Sequence, residues 1–512
     1  MLRAGQSTSW LSAGLTCSGR TMAHVSRKAR KAAGLVRLHS NIDSSLFRML
    51  GAKGKMALVE SFMMRRPSTD QRFAAGKALR QRLPRASHAD YVPRADRADP
   101  IAILDAQNAT RVQKLVPVRY GRMLTSPFAF LRGSAAVMAS DLSTLPVSGI
   151  PVAACGDMHV SNFGVYASAE RSLVFSINDF DEVYVGPWEW DLKRLAASAA
   201  VAAKFLGGDN AQCEAAAQQC VRSYRRRIRR YAEMGYLETW YDRIDDHAVL
   251  DSLTPKSRRI AQRLMNRARA RGHIRTVEKL TERVNGRQRF IEDVPLIVRE
   301  ARTEKGTAVK VVLDRLLRAY VDSLSFDRKV VLSRYRIVDV ARKVVGVGSV
   351  GTECWVIMLY GASEGDPLFL QVKEAKPSVL APYVDVKLPF THQGHRVVFG
   401  QRLTQGSPDI FLGWCEVGGR DFYIRQLADM KGSAAVDDIE TLPDYCGLCG
   451  WALALAHAKS GDAAMIAGYC GKSDALDEAI GAFAIAYMHQ TEQDHAALIK
   501  AKRTGRIKAA AG

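Results

Sequence analysis

The sequence predicts an α+β protein built as two lobes, and three observations carry that reading. Residues 331–432 hold a succession of apolar, β-branched segments parted by glycine turns, which reads as one sheet. Residues 60–234 and 433–512 are mostly helical in pattern, broken at prolines and glycines. Within the first of these, residues 155–191 concentrate Asp157, His159, Asn162, Asp179, Asp181 and Glu182 around the short apolar run SLVFSI. At 512 residues there is ample chain to bury a large core.

Residues 1–59 are rich in Arg, Lys, Ser and Gly, with Asp43 as the only acid. They are expected to form a basic, disordered N-terminal segment, with Met22 or Met56 as alternative starts. Residues 61–142 read as helices interrupted at Pro84, Pro93, Pro100, Pro117 and Pro127. There Arg119, Arg122 and Arg132 surround Phe128 and Phe130. Arg132, beside Gly133, is the one of the three whose fork suits a phosphate; the other two fit a packing ledge.

The 155–191 stretch carries the chemistry. SLVFSI reads as a strand that delivers the second acid cluster. Two acid-bearing turns at the ends of a short hairpin can point their side chains into one cleft. Such a cleft suits a divalent cation held by oxygen ligands, with one carboxylate left over as a base. Asp and Asn also favour turns for their own sake, which accounts for any one of these residues but not for the set.

A helix follows Asp191, whose position suits an N-cap, and ends at Gly207-Gly208; a second runs from about 211 to 234. Residues 235–330 are expected to be a basic, mainly helical connecting region. No acid occurs from Lys256 to Arg275, seven arginines fall between Arg258 and Arg275, and no aromatic residue is there to stack bases.

In the strand-rich part, Gly346, Gly348, Ser349 and Gly351 form a G-x-G-x-x-G run. A dinucleotide site needs a helix to open at such glycines. Here CWVIML follows, so the pattern is strand, glycine turn, strand, which suits a lid over nucleotide phosphates. The next strand, PLFLQVKEA, presents Lys373 as a phosphate-binding amine; a solvated edge lysine is the plainer alternative. Glu374 and Asp385 are both candidate carboxylate partners for it. DIFLGWCEV and RDFYIRQL read as the last two strands, and LADMKGS as the connection to the other lobe. The C-terminal residues 433–512 return as helices. His457 and Asp462, at the end of the first, fit helix-end and turn roles. Cys446 and Cys449 read as two small core residues on one helix rather than half a zinc site.

Residues 155–157 (Cys-Gly-Asp) with Asn162, then 177–181 (Ile-Asn-Asp-Phe-Asp), then 186–192 (Gly-Pro-Trp-Glu-Trp-Asp-Leu), resemble the core of the protein-kinase-like phosphotransferases, the aminoglycoside and choline kinase branch above all. Cys155 stands where that branch has histidine, and Asn178 displaces the isoleucine before the metal aspartate. SPFAFLRG, CGDMHVSNFG and LQVKEA are similar to an uncharacterised bacterial family, domain-of-unknown-function family 2252, over about 61–501. The first resemblance implies a two-lobed kinase-like fold. Its order is inverted here, because the catalytic loop precedes the glycine turn and lysine, so the fold expected is a circularly permuted one. The resemblance implies Asp157 as catalytic base, Asn162 and Asp179 as ligands of Mg²⁺, and Asp181 as a further candidate ligand. It also implies Gly346, Gly348, Ser349, Gly351 and Lys373 as the site for ATP or GTP, and Asp191 as a brace for the catalytic loop.

Three functions follow as expectations: a phosphotransferase from Mg-nucleotide to an unknown acceptor, a nucleotide-binding scaffold without turnover, and a metal-dependent hydrolase on Asp157, His159 and Asp179. The net charge of +22 suits acidic small molecules or nucleic acid, although no nucleic-acid motif accompanies it. Nine scattered cysteines and no apolar run of membrane-spanning length point to a cytoplasmic protein.

Overall fold

The computed structural model describes residue 36 and residues 62–270, 273–300, 308–344, 346–427, 430–432 and 437–510. Apart from Val36, the N-terminal segment 1–59 lies outside the described residues.

The chain first forms short helices at Thr69–Ala78, Pro100–Asn108, Val116–Met123, Pro127–Gly133 and Ala135–Leu142. Pro100, Pro117 and Pro127 each lie in the first turn of the helix they open, where a missing N–H costs nothing. Strand β1 (Pro151–Ala154) then leads into the first acid-bearing turn. A hairpin of β2 (Phe163–Ala167) and β3 (Leu173–Ile177) follows, and the second turn leads into β4 (Tyr184–Pro187), which pairs back onto β1. Both acid-bearing turns therefore sit at the same end of the hairpin, not at opposite ends: Phe163 faces Ile177, and Asn178 N–H donates to Asn162 O at 2.9 Å.

Helix α1 (Trp188–Phe205) is buried along nearly its whole length. Its run of alanines lets α2 (Asn210–Glu233) approach closely, and Gly207, at φ +85°, closes it. Asp191 is not an N-cap, because the helix opens three residues earlier behind Pro187.

Residues 235–330 depart most from expectation. β5 (Ile244–Asp245) extends the β2–β3 hairpin, β6 (Thr281–Val284) and β7 (Arg287–Phe290) form a hairpin, and β8 (Ile297–Val298) is the edge strand of the large sheet. Helices Pro255–Arg269 and Val309–Asp322 are present, and the second packs on that sheet. The region is part of both lobes, not a helical insertion set apart from them.

The large sheet is antiparallel, in the order β12 (Gly413–Val417), β13 (Arg420–Gln426), β11 (Pro367–Glu374), β10 (Cys354–Tyr360), β9 (Arg336–Lys343), β8. Side chains alternate between its faces. Trp355, Ile357, Leu370, Val372 and Ile424 face one way, against Leu316 and Tyr320. On the other face, Val356, Met358 and Phe369 pack under Phe290 of the β6–β7 hairpin. Central β10 is buried throughout, which is why CWVIMLY is apolar without alternation. Past Phe369, that second face turns polar.

After α3 (Gln393–Thr404), the chain returns through α4 (Leu442–Ser460), α5 (Ala463–Cys470) and α6 (Ala475–Arg503) to pack on α1 and α2. Cys446 and Cys449 are fully buried on α4, as expected of core residues. Among the described residues no helix is long and apolar enough to cross a membrane.

Candidate active site

One helix holds the first acid-bearing turn in place. Cys155 N–H and Gly156 N–H donate to the two carboxylate oxygens of Asp191, at 2.6 and 2.9 Å. His457 Nε2 lies 3.3 Å from the same carboxylate, with its Nδ1 2.8 Å from the Tyr224 hydroxyl. Gly156 adopts φ +75°, and a Cβ there would come within 2.9 Å of Glu182 O, so only glycine fits this bend. One turn further along α1, Arg194 Nε donates to Asp157 Oδ1 at 3.0 Å. The same helix thus brackets both the backbone and the carboxylate of the turn. Asp157 Oδ2 is left facing His159 Nε2 at 3.9 Å. Burial holds the His159 imidazole down to about 4, so it is neutral near pH 7.

Asn162 joins the two turns. Its amide donates to Asp157 O at 3.2 Å and to Asp179 O at 3.4 Å. Asp179 in turn accepts from Asp181 N–H at 3.3 Å.

The sheet supplies the opposite wall. Lys373 pairs in register with Tyr423 and Cys354, and Gln371 with Arg425 and Val356, so these side chains share the polar end of the second face. The Lys373 ammonium is buried, lies 3.7 Å from Asp179 Oδ2 and is in direct ion-pair contact with Asp181. Burial alone would pull this amine down; Asp179 and Asp181 more than offset it and hold it well above the usual lysine range. Burial would likewise raise the Asp179 carboxyl, but Lys373 and Arg425 hold it below its ordinary value. The partners of Lys373 are therefore the acids of the turn, neither Glu374 nor Asp385. Glu374 instead accepts from Glu353 N–H at 3.0 Å and pairs with Lys376 at 3.2 Å.

Asp181 ties the two walls together. Besides Lys373, it accepts from Tyr423 OH at 2.7 Å and Ser349 Oγ at 3.2 Å. Ser349 belongs to the glycine turn between β9 and β10, which arches over the acids. A Cβ on Gly348 would lie 3.9 Å from Asp157 Oδ2 and 3.2 Å from Arg132 O. Gly346 and Gly351 take φ values of +66° and +87°, which lets the turn double back. Its valines anchor it, Val350 against Leu115 and Val118, Val347 against the Ile101 cluster. Three hydrogen bonds add to this: Val112 N–H to Gly351 O at 2.8 Å, Arg111 to Val350 O at 2.7 Å and Arg122 to Gly346 O at 2.5 Å.

Arg119 is buried and bonded to Asn108 and to Gly133 O, a packing role. Arg132 approaches Asp157, and its buried Nε has no partner. His457 acts through Asp191, whereas Asp462 caps α5 by accepting from Met465 N–H at 3.0 Å.

Five cleft residues stand outside the sequence expectation. Arg194 orients Asp157. Tyr423 and Arg425 reach the acids from β13, with Arg425 donating to Asn178 O at 2.9 Å. Arg396, on the helix after the Lys373 strand, donates to Val183 O, Asp181 O and Lys376 O at 2.6–2.8 Å and fixes the second turn from behind. Lys431, in the connection after the sheet, faces Asp179; burial, then Arg425, draws its amine down to about 7.

Residues 111–501 match the bacterial family DUF2252, described as uncharacterized proteins conserved in bacteria. The chain belongs to this family. No curated protein and no solved structure matches the chain. Every DUF2252 cleft residue named above, from Asp157 to Lys431, falls inside the matched span. Arg111, which pins the glycine turn of this DUF2252 chain, is its first residue.

Proposed function

We propose that this protein is a phosphotransferase that passes a phosphoryl group from a Mg-nucleotide, ATP or GTP, to a hydroxyl acceptor, on a kinase-like fold in permuted order. The observation that carries the proposal is the Lys373 ammonium, 3.7 Å from Asp179 although the two are far apart in the chain. Arg425 donates to Asn178 O beside the same acids, and Lys431 is near enough to feel Arg425, Asp179 and Lys373. Cations gathered beside these acids suit a triphosphate bridged by a metal ion.

Among the described residues no three His, Cys, Asp or Glu side chains are grouped to hold a metal by themselves. Mg²⁺ does not need such a cage, since one or two oxygen ligands plus substrate phosphates suffice. Asp179 and Asn162 fit that requirement. Asp181 is engaged by Lys373, Tyr423 and Ser349 and is better placed as the tether between the walls. When bound, Mg²⁺ would neutralise phosphate charge. Asp157 Oδ2, the oxygen not held by Arg194 Nε, takes the proton of the acceptor hydroxyl, while Lys373 and the glycine turn hold the phosphates. A second reading, nucleotide binding without turnover, is favoured by the ion pair between Asp157 and buried Arg194 and by Cys155 at the position of histidine.

The deciding experiment is thermal denaturation with ATP or GTP, in Mg²⁺ or in EDTA. Mg-nucleotide should raise Tm above nucleotide alone, and Asp179→Asn should abolish that Mg²⁺-dependent increment while leaving the fold intact. An unchanged increment in the variant would remove Asp179 from the metal site.

Lys431 supplies a pH signature. Its folded value, about 7, lies well below the ordinary lysine range, so between the two the unfolded chain binds more protons. Stability of the ligand-free protein should rise with pH there. A bound polyphosphate restores the charged amine, so binding near pH 8 should take up protons, read as a buffer-dependent heat in calorimetry. Lys431→Met should remove that dependence; buffer-independent heats in the parent would take Lys431 out of the site.

A further inference from the structure

α2 carries Arg222, Arg225, Arg226 and Arg229, whose spacing puts all four guanidinium groups on one stripe of the helix. They line a cavity of about 380 Å³ together with the 471–474 turn that joins α5 to α6. A second cavity of about 210 Å³ shares Arg222 and Arg226, so the two open onto one groove along the helix.

The charges in this groove do not balance. Asp477, fully buried beneath it, is committed to Arg225 at 2.8 and 2.6 Å and lies 3.8 Å from Arg222. Asp474 is the only acid in the lining of the larger cavity. Arg226 has no acid partner among the described residues, and Arg229, whose guanidinium lies over the Phe73 ring at 5.0 Å, has a buried Nη2 with no hydrogen-bond partner. Two further arginines crowd the same turn: tips of Arg80 and Arg85 lie 2.7 Å from where a Gly471 Cβ would be. Burial and the neighbouring charges of Arg85 and Arg229 depress the Arg80 guanidinium below its ordinary value. Lys472 is exposed on the turn, and the first turn of the 29-residue α6 lies beside it.

We infer that this groove is a second binding site, taking a compact, multiply phosphorylated small molecule. Convergent guanidinium forks in a concave wall match phosphate oxygens bidentately, and an anion there relieves the repulsion among them. The arginines of Pro255–Arg269 differ, because they stand on an exposed helix face that lines neither cavity. Nucleic acid fits the groove less well. Its aromatic wall, Trp451, is already covered by the Arg227 guanidinium 3.4 Å from the ring centroid, which leaves no face for a base to stack on.

The probe is inorganic tripolyphosphate, titrated calorimetrically in EDTA against the full chain. The parent should bind it with a component that survives Lys373→Met, and in that Lys373→Met background Arg226→Gln with Arg229→Gln should weaken this component at least tenfold with an unchanged circular dichroism spectrum. Lys472→Gln, on the exposed turn, should weaken it in the same direction. Arg259→Gln with Arg263→Gln removes equal charge from the exposed helix and should leave affinity unchanged. Lys373→Met, which disables the cleft amine, should leave groove binding in place. The inference is overturned if the parent does not bind, if Lys373→Met alone abolishes binding, or if in the Lys373→Met background Arg226→Gln with Arg229→Gln leaves affinity unchanged or the charge-matched control weakens it equally.

Discussion

Asp157→Asn should slow phosphoryl transfer by on the order of 10²–10⁴-fold, the range that a positioned base supplies. Nucleotide affinity should stay within a few-fold, because a base acts on the acceptor proton in the transition state. Asparagine is the informative replacement. Arg194 is buried, so alanine would strand its guanidinium and confuse a chemical loss with a folding one. Asparagine keeps an oxygen for Arg194 and removes only the basic carboxylate. Single-turnover transfer and equilibrium nucleotide binding, measured on the same preparation, separate the two quantities. Equal loss in both would mean that Asp157 shapes the nucleotide site. A parent that binds Mg-nucleotide tightly yet transfers to no acceptor would favour the reading without turnover.

Asp191→Ala should destabilise the fold by about 3–5 kcal/mol, the cost of leaving several buried hydrogen-bonding groups without their shared partner. Asp191 is almost fully buried and serves three partners at once: the N–H groups of Cys155 and Gly156, and His457. Alanine leaves all three without that partner in a fully buried site. Asp191→Asn keeps one acceptor oxygen and should cost distinctly less. Urea midpoints at constant m-value measure both. A loss under 1 kcal/mol for alanine would show that the first turn holds its shape without this brace.

Both predictions rest on residues whose grouping was legible in the sequence, because turn acids and a lysine-bearing strand leave marks at fixed, short spacings. Most of the rest of the cleft required tertiary information. Arg194 is an ordinary helical arginine until α1 is seen to run beneath the Asp157 turn. Lys431 lies in a connection whose path no local pattern dictates. Tyr423 and Arg425 were readable in principle: alternation along RDFYIRQ puts them on one face, and pairing with β11 sets them beside Lys373 and Gln371. The β6–β7 hairpin was equally readable. Asn285-Gly286, both at positive φ, is a two-residue turn signal, but it was hidden within a long arginine-rich stretch that looks helical. Edge strand β8 is two residues long, too short for any periodicity to reveal. The carboxylate partner of Lys373 could not be found by looking near it in sequence, since Asp179 and Asp181 reach it from the other lobe.

In the proposed phosphotransferase the anchored glycine turn would set the tempo of nucleotide exchange. A roof whose valines are packed into the opposite lobe does not swing aside alone; Val350 must leave its apolar seat, and the bonds from Val112, Arg111 and Arg122 must break together. Under the proposed function, departure of a nucleotide would require this small local unfolding, which predicts a long residence time and a steep temperature dependence. A phosphotransferase built on such a cleft would favour retention over throughput.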